Sequence, residues 1–144
     1  MRMAQNLILL PVLAQMLLTL VILALLPGAR RRSMLERKQR MQDMANAGKT
    51  DWNGQAQQIA ASFSNQFELP VLFYVICAFA LVTRMVDVWM LGLASAFVLS
   101  RIAHAVVHIG PNIVMWRFVA YGCGLVCLVG MWGLLGWRIL SAGF

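Results

Sequence analysis

The sequence predicts an all-α integral membrane protein that folds as one domain, a bundle of four transmembrane helices. Hydrophobic residues make up 61% of the chain and charged residues only 12%, whereas soluble domains are about half apolar and about a quarter charged. A helix needs about 20 mostly apolar residues to cross a bilayer. Four segments meet this requirement, so we expect helices at about 6–26, 59–82, 88–109 and 113–137 within a single domain, 1–144.

The first apolar segment, 6–26, contains no charged residue and is the clearest of the four. One arginine, Arg2, precedes it, and three arginines follow it at 30–32. Signal peptides carry their positive charge in front of the apolar run and end in small residues at a cleavage site. This segment has the opposite pattern, with most of its positive charge after the apolar run, which predicts that it is retained as a transmembrane helix and not cleaved.

Positive charge is concentrated between the first two predicted helices. The chain has 12 lysines and arginines and a formal net charge of +7. Seven of the 12 lie in the predicted basic loop 27–58, namely Arg30, Arg31, Arg32, Arg37, Lys38, Arg40 and Lys49. Cytoplasmic loops carry an excess of such residues, so we expect this loop in the cytoplasm and both termini outside. The position of the charge beside apolar segments also argues against nucleic-acid binding.

Polar residues interrupt the other three segments. The second is apolar only from Leu69 onward, and its first half, IAASFSNQFE, must face protein or a water-filled cavity. At 1.5 Å per residue, Glu68 lies about 13 Å and Arg101 about 12 Å from the cytoplasmic ends of their helices. Charges at such depths are costly unless they are paired. We therefore predict that Glu68 and Arg101 form an ion pair.

Helical spacing places the polar side chains of these segments on shared faces, because residues three, four or seven apart lie on one side of a helix. The spacing joins Asn65 with Glu68, Arg101 with His104 and His108, and Arg117 with Tyr121. All of these groups fall in the predicted cytoplasmic half. Two arginines against one glutamate leave an excess positive charge, which predicts an anion site. An arginine near a thiol favours the thiolate and can stabilise negative charge in a transition state.

Structural roles for the same residues stay open. Arg117 can serve as an interfacial anchor whose guanidinium snorkels to the membrane surface. Asn65, Glu68 and Arg101 can serve only to lock helices together. A proton or ion transporter is disfavoured, because no polar relay continues into the outer half.

Histidine and cysteine spacing does not indicate a metal site. His104 and His108 are four residues apart, but no third ligand joins them at a suitable spacing, so we favour interhelical hydrogen bonds. Cys77, Cys123 and Cys127 all lie in apolar runs and are expected to be packing residues.

Two stretches resemble a known family. NQFELPVLFY resembles the Asn-x-x-Glu segment of the MAPEG family, the membrane-associated proteins of eicosanoid and glutathione metabolism. RIAHAVVHIGPNIVMWRFVAY is similar to the microsomal prostaglandin E synthase branch of that family. There an arginine is followed by histidine three residues on, an aromatic hydroxyl seven on, a second arginine sixteen on and a tyrosine twenty on. This chain has Arg101, His104, His108, Arg117 and Tyr121 at those places.

The resemblance implies a bacterial-type member, in the inner membrane, that assembles as a homotrimer with glutathione bound between protomers. It implies a glutathione-dependent transferase or peroxidase that acts on a lipophilic electrophile or hydroperoxide entering from the lipid bilayer. A non-catalytic member of the same fold that binds lipid or a partner is the alternative. Arg117 would hold the thiolate as the catalytic residue, and no metal is implied. The glutathione-binding residues would be Asn65, Glu68, Arg101, His104, His108 and Tyr121.

The chain departs from the family pattern at five places. Gln57 and Gln58 stand where a Glu-Arg pair is frequent, and Ser64 replaces a basic residue. His108 replaces the tyrosine expected seven residues after the first arginine, and Phe118 replaces the serine of the prostaglandin branch. These departures argue strongly against prostaglandin synthesis.

Overall fold

The computed structural model describes residues 5–37, 52 and 54–142. Within them the chain forms five α-helices: α1 (Leu9–Arg37), α2 (Gly54–Ser64), α3 (Leu69–Val82), α4 (Val88–Ile109) and α5 (Val114–Ser141). Short 3₁₀ turns precede α1 at Gln5–Ile8 and join α2 to α3 at Asn65–Phe67. Because α2, its turn and α3 form one span, four segments can cross a membrane by length and composition. The predicted all-α four-helix membrane fold is confirmed. Residues 38–51 and 53 of the predicted basic loop, and both chain ends, lie outside the described residues.

The first helix is longer than predicted. It passes through Pro27 and ends at Arg37, so the predicted loop boundary at 27 is wrong. A proline removes one backbone hydrogen bond, which a helix at membrane depth can tolerate when neighbouring groups compensate. The segment that follows is rich in good helix formers. It also carries an ion pair one turn apart between Arg32 Nε and Glu36 Oε1 at 3.1 Å, which favours continuation of the helix.

The second span begins at Gly54, earlier than predicted, and is broken near its middle. The break lies at the turn Asn65–Phe67 and at Glu68, whose backbone angles (φ −98°, ψ −103°) are not helical. Pro70 explains it, because proline cannot donate the helical hydrogen bond to Gln66 and its ring collides with that carbonyl. The continuous helix predicted at 59–82 is therefore wrong at this point.

Close packing of α4 against α5 depends on a glycine. A Cβ added at Gly124 would lie 2.7 Å from Ser100 Oγ. Nearby, the rings of Phe73 and Phe97 stack with centroids 4.5 Å apart in the core. The two helices that bear five of the seven predicted site residues are thus in direct contact.

A network of polar contacts closes one end of the bundle. The Gln5 amide donates to the backbone oxygen of Val86 and accepts from its N–H, both at 3.1 Å. Arg138 donates to the backbone oxygen of Met85 at 2.9 Å and forms an ion pair with Asp87. We call Gln5, Val86, Asp87 and Arg138 the end network. It lies at the opposite end from the arginines at 30–32, since α1 runs from one end to the other.

Acid should weaken the end network. The hydrogen bond from Arg138 holds the pKa of the Asp87 carboxyl below its ordinary value of 3.8. A lowered folded-state pKa adds stability that is present above the ordinary pKa and is lost as the pH falls through the folded value. We expect the melting temperature in detergent to fall progressively as the pH is lowered below about 5. The fall should be smaller in Asp87→Asn, and an equal fall in both proteins would contradict this assignment.

Candidate functional site

A buried arginine contacts the break in the second membrane-spanning segment. Arg101 on α4 is fully buried, and its Nη2 donates to the backbone oxygen of Asn65 at 3.0 Å. In an unbroken helix that oxygen would accept from the N–H four residues on, at Leu69. The break frees the carbonyl, and the guanidinium takes the place of the lost donor.

Glu68 and Arg101 do not form the predicted ion pair. Among the described residues, the hydrogen bond of Arg101 goes to Asn65, and the exposed Glu68 carboxylate accepts a long hydrogen bond (3.5 Å) from the Tyr121 hydroxyl. Tyr121 lies between the two charges, because the Arg101 guanidinium carbon is 5.5 Å from the centre of its ring. Both charged side chains contact Tyr121, but the hydrogen bond of Arg101 goes to the backbone carbonyl that the break has freed.

The two histidines lie beside this group. His104 and His108 are buried, with ring centroids 5.5 Å apart, and the His104 ring lies 5.8 Å from that of Tyr121. Neither Nδ1 atom has a hydrogen-bond partner in the structure. The described residues contain no group of three or more metal-ligating side chains.

Arg117 is half-buried near the start of α5 and is held from the preceding turn. Its Nη1 donates to Asn112 Oδ1 at 2.8 Å. Asn112 has φ 52°, a left-handed conformation that asparagine tolerates better than most residues. The Nε of Arg117 is buried without a partner. Helical spacing does not predict this contact, because Asn112 lies in the turn before α5.

A cavity of about 250 Å³ opens between these helices. It is lined by Asn65, His104, Val114, Arg117, Phe118 and Tyr121. The structure thus brings four of the seven predicted site residues to one cavity. Arg101 and His108 lie behind its wall, and Glu68 adjoins it through Tyr121.

A second recess, of about 390 Å³, lies on the other side of Asn65. Its lining includes Arg30 and Trp52, and the Arg30 guanidinium carbon is 5.2 Å from the centre of the Trp52 ring. Neither residue was a predicted site residue. Arg30 reaches this recess because α1 continues as a helix past Pro27, whereas the sequence predicts a loop at Arg30.

The electrostatics of the cavity favour a ligand with acceptor groups. Arg101 Nε and Nη1 and Arg117 Nε are buried donors without partners. A guanidinium has donors only, and burying an unpartnered charged donor is costly. Val114 and Phe118 add apolar, exposed side chains to the wall, 73% and 74% exposed. The arrangement can hold an anionic ligand beside an apolar one.

Comparison with known proteins gives one result. The model of the MAPEG family matches residues 8–137. A search of the curated proteins and a search of the solved structures found no match.

Proposed function

Since this chain belongs to the MAPEG family, we propose that it is a glutathione-dependent transferase or peroxidase acting on lipophilic electrophiles or hydroperoxides. One observation carries the proposal: Arg117 lines a cavity of about 250 Å³ and has a buried Nε with no partner among the described residues, while the buried Arg101 adds positive charge behind the cavity wall. The family includes such enzymes as well as non-catalytic members.

The charges of the site fit glutathione. This tripeptide carries two carboxylates, one ammonium and a thiol. Arg117 presents a guanidinium to the cavity that can donate to a carboxylate oxygen or a thiolate sulfur, and a guanidinium matches a carboxylate in geometry. The buried Arg101 adds positive charge behind the cavity wall. The exposed Glu68 carboxylate suits the ammonium group, and the Asn65 side chain at the cavity wall can bind a peptide group.

Exposure of Glu68 supports a homotrimer whose protomers complete the site. Glu68 is exposed although it lies within a membrane-crossing segment. A carboxylate facing lipid is costly, so such residues normally face protein or an aqueous cavity. A neighbouring protomer over this face would remove Glu68 from lipid and close the glutathione site.

Arg117 has the central catalytic role in this proposal. Glutathione supplies the thiol, and its thiolate sulfur bonds to the electrophilic carbon while the leaving group departs with the bonding electrons. With a hydroperoxide, the sulfur bonds to the terminal oxygen, the O–O bond breaks, and the alkoxide takes up the proton released by the thiol. A second glutathione then reduces the sulfenic acid to disulfide and water. Arg117 favours the thiolate by its charge, and Asn112 fixes the direction of its guanidinium. Tyr121 and His104, both at the cavity wall, are placed to hold the ligand in a reactive orientation.

The lipophilic substrate enters from the bilayer in this proposal. Val114 and Phe118 are exposed apolar side chains that also line the cavity. Phe118 offers no hydroxyl, so the proposed activity is not prostaglandin synthesis. We propose, from the spacing of the motif, that the chain is a bacterial-type member nearest the microsomal prostaglandin E synthase branch.

A cytoplasmic position of the site is consistent with the bundle geometry. Leu26, which lies close to the arginines at 30–32, packs in one cluster with Ile59 and Ala105 on the helices that carry the site. The site therefore occupies the membrane half nearest those arginines. By the positive-inside rule, we propose that this half faces the cytoplasm of a bacterial inner membrane, with both termini outside.

The first test is the ultraviolet difference spectrum of the detergent-purified protein on addition of glutathione. We expect thiolate absorption in the wild type and its loss in Arg117→Ala, because the variant lacks the charge that favours the thiolate. Absence of both binding and thiolate at millimolar glutathione would exclude the catalytic proposal.

A non-catalytic member that binds lipid or a partner is the second candidate. It is favoured by the contact of Arg117 with Asn112, which already satisfies one guanidinium nitrogen within the chain. In that case Arg117→Ala would change assembly or stability and no thiolate would appear in the wild type.

A further inference from the structure

Two buried glutamines join α1 to the helix break. Gln15 lies on α1 in an otherwise apolar stretch, and Gln66 lies in the 3₁₀ turn Asn65–Phe67. Both are almost completely buried, at 0% and 1% exposure. Uncharged polar side chains rarely occupy the core of a membrane helix bundle without a specific partner.

Their side-chain amides bond directly. Gln15 Nε2 donates to Gln66 Oε1 at 2.8 Å, and Gln66 Nε2 donates to the backbone oxygen of Ser62 at 3.4 Å. The Gln66 amide therefore connects the turn to α1 on one side and to the last turn of α2 on the other. We call the Gln15–Gln66 contact the amide bridge.

The turn is thus held from two directions. The amide bridge holds Gln66 from α1, and Arg101 holds the neighbouring Asn65 backbone from α4. Glu68, two residues after Gln66, has backbone angles that are not helical. A broken helix lacks some of its own hydrogen bonds, so outside contacts must fix its backbone. Asn65 and Glu68, which we propose to bind glutathione, lie one residue before and two residues after Gln66, the residue that the amide bridge holds.

We propose that Gln15 is a positioning residue for the ligand site. Through Gln66 it sets the position of the turn, and thereby directs Asn65 and Glu68 toward the cavity. This inference rests on the proposed glutathione site, and it adds a residue of α1 that does not line the cavity. Small displacements of positioned groups have large effects on binding and rate.

The test separates positioning from stability with a double substitution. Gln15→Leu leaves the Gln66 amide buried without its partner, so it should reduce both the melting temperature and the affinity for glutathione. Gln15→Leu combined with Gln66→Leu removes both partners, which recovers most of the stability. In the double variant we expect the affinity, measured by glutathione titration, to stay weaker than wild type by on the order of tenfold.

Gln5 provides a matched control. Its amide also bridges to a distant segment, with two hydrogen bonds to Val86, but at the opposite end of the bundle. Gln5→Leu should lower the melting temperature and leave the glutathione affinity unchanged. A loss of affinity in Gln5→Leu equal to that in the double variant would overturn the positioning role.

A second measurement does not depend on glutathione. We expect amide hydrogen exchange across 65–71 to be faster in the double variant than in Gln5→Leu. Wild-type affinity in the double variant would overturn the inference while leaving the proposed function intact. If the wild type does not bind glutathione, the proposed function fails, and unchanged exchange across 65–71 would then also overturn the positioning role.

Discussion

Replacement of Arg117 by alanine is expected to lower glutathione-dependent turnover by on the order of 10²–10³-fold, the usual effect of removing one group that stabilises developing negative charge. The guanidinium lines the cavity, and its Nε is buried without a partner, so it is available to a bound anion. Turnover can be measured in detergent with an aryl halide, such as chlorodinitrobenzene, and with cumene hydroperoxide.

Three further variants identify the cause of the loss. Arg117→Lys keeps the charge without the planar fork and should retain part of the activity. Asn112→Gly removes the contact that directs Arg117 while keeping a residue suited to positive φ, and should give an intermediate rate. Arg31→Ala removes an exposed arginine outside the cavity and should leave the rate unchanged. Full activity in Arg117→Ala would contradict the proposed mechanism.

Replacement of Pro70 by alanine is expected to abolish the ligand site while the fold persists. Alanine restores the N–H that can bond to Gln66 and removes the clash with its carbonyl, so the second span should become a continuous helix. Asn65 oxygen would then accept from Leu69, and Arg101 would lose its acceptor. We expect glutathione affinity to fall by on the order of 10²-fold, consistent with misplacement of the binding groups.

Pro27→Ala is the matched control for this substitution. Pro27 lies inside α1, where the helix continues without a break. Its replacement should leave glutathione binding unchanged, although it also removes a proline from a membrane helix. Circular dichroism would report a gain of helix in Pro70→Ala. Wild-type affinity in that variant, together with such a gain, would show that the break has no role in binding.

The sequence predicted the fold correctly because hydropathy and length determine which segments can span a bilayer. It failed at two prolines for opposite reasons. The first predicted helix stops with the apolar run, just before Pro27, but the good helix formers after this proline extend α1 to Arg37. Pro70 lies in an apolar run, where composition alone indicates a continuous helix, yet it lacks the N–H that continuity requires.

The candidate site was predictable where it depends on helical spacing within one element. His104 and His108 lie side by side on α4, with ring centroids 5.5 Å apart, as their spacing predicts. The partner of Arg101 was not predictable in this way. Its acceptor is a backbone oxygen made available by the break, and residue types at matched depth cannot reveal such a group.

The contact between Gln15 and Gln66 illustrates the same limit. Each glutamine is an isolated polar residue within its own segment of the sequence. Their pairing depends on how α1 crosses the broken span. Arg30 likewise reaches the recess beside Asn65 only because α1 continues past Pro27.

The length of the first span links the site to the thickness of the membrane. Gln5–Glu36 contains 32 residues, about 48 Å of helix at 1.5 Å per residue, against about 30 Å of hydrocarbon. Arginines prefer the headgroup level, so we expect a thinner bilayer to increase the hydrophobic mismatch of α1 and its tilt. Since Gln15 connects this helix to Gln66, we expect the tilt to move the turn, so that the affinity of the proposed site depends on the thickness of the bilayer.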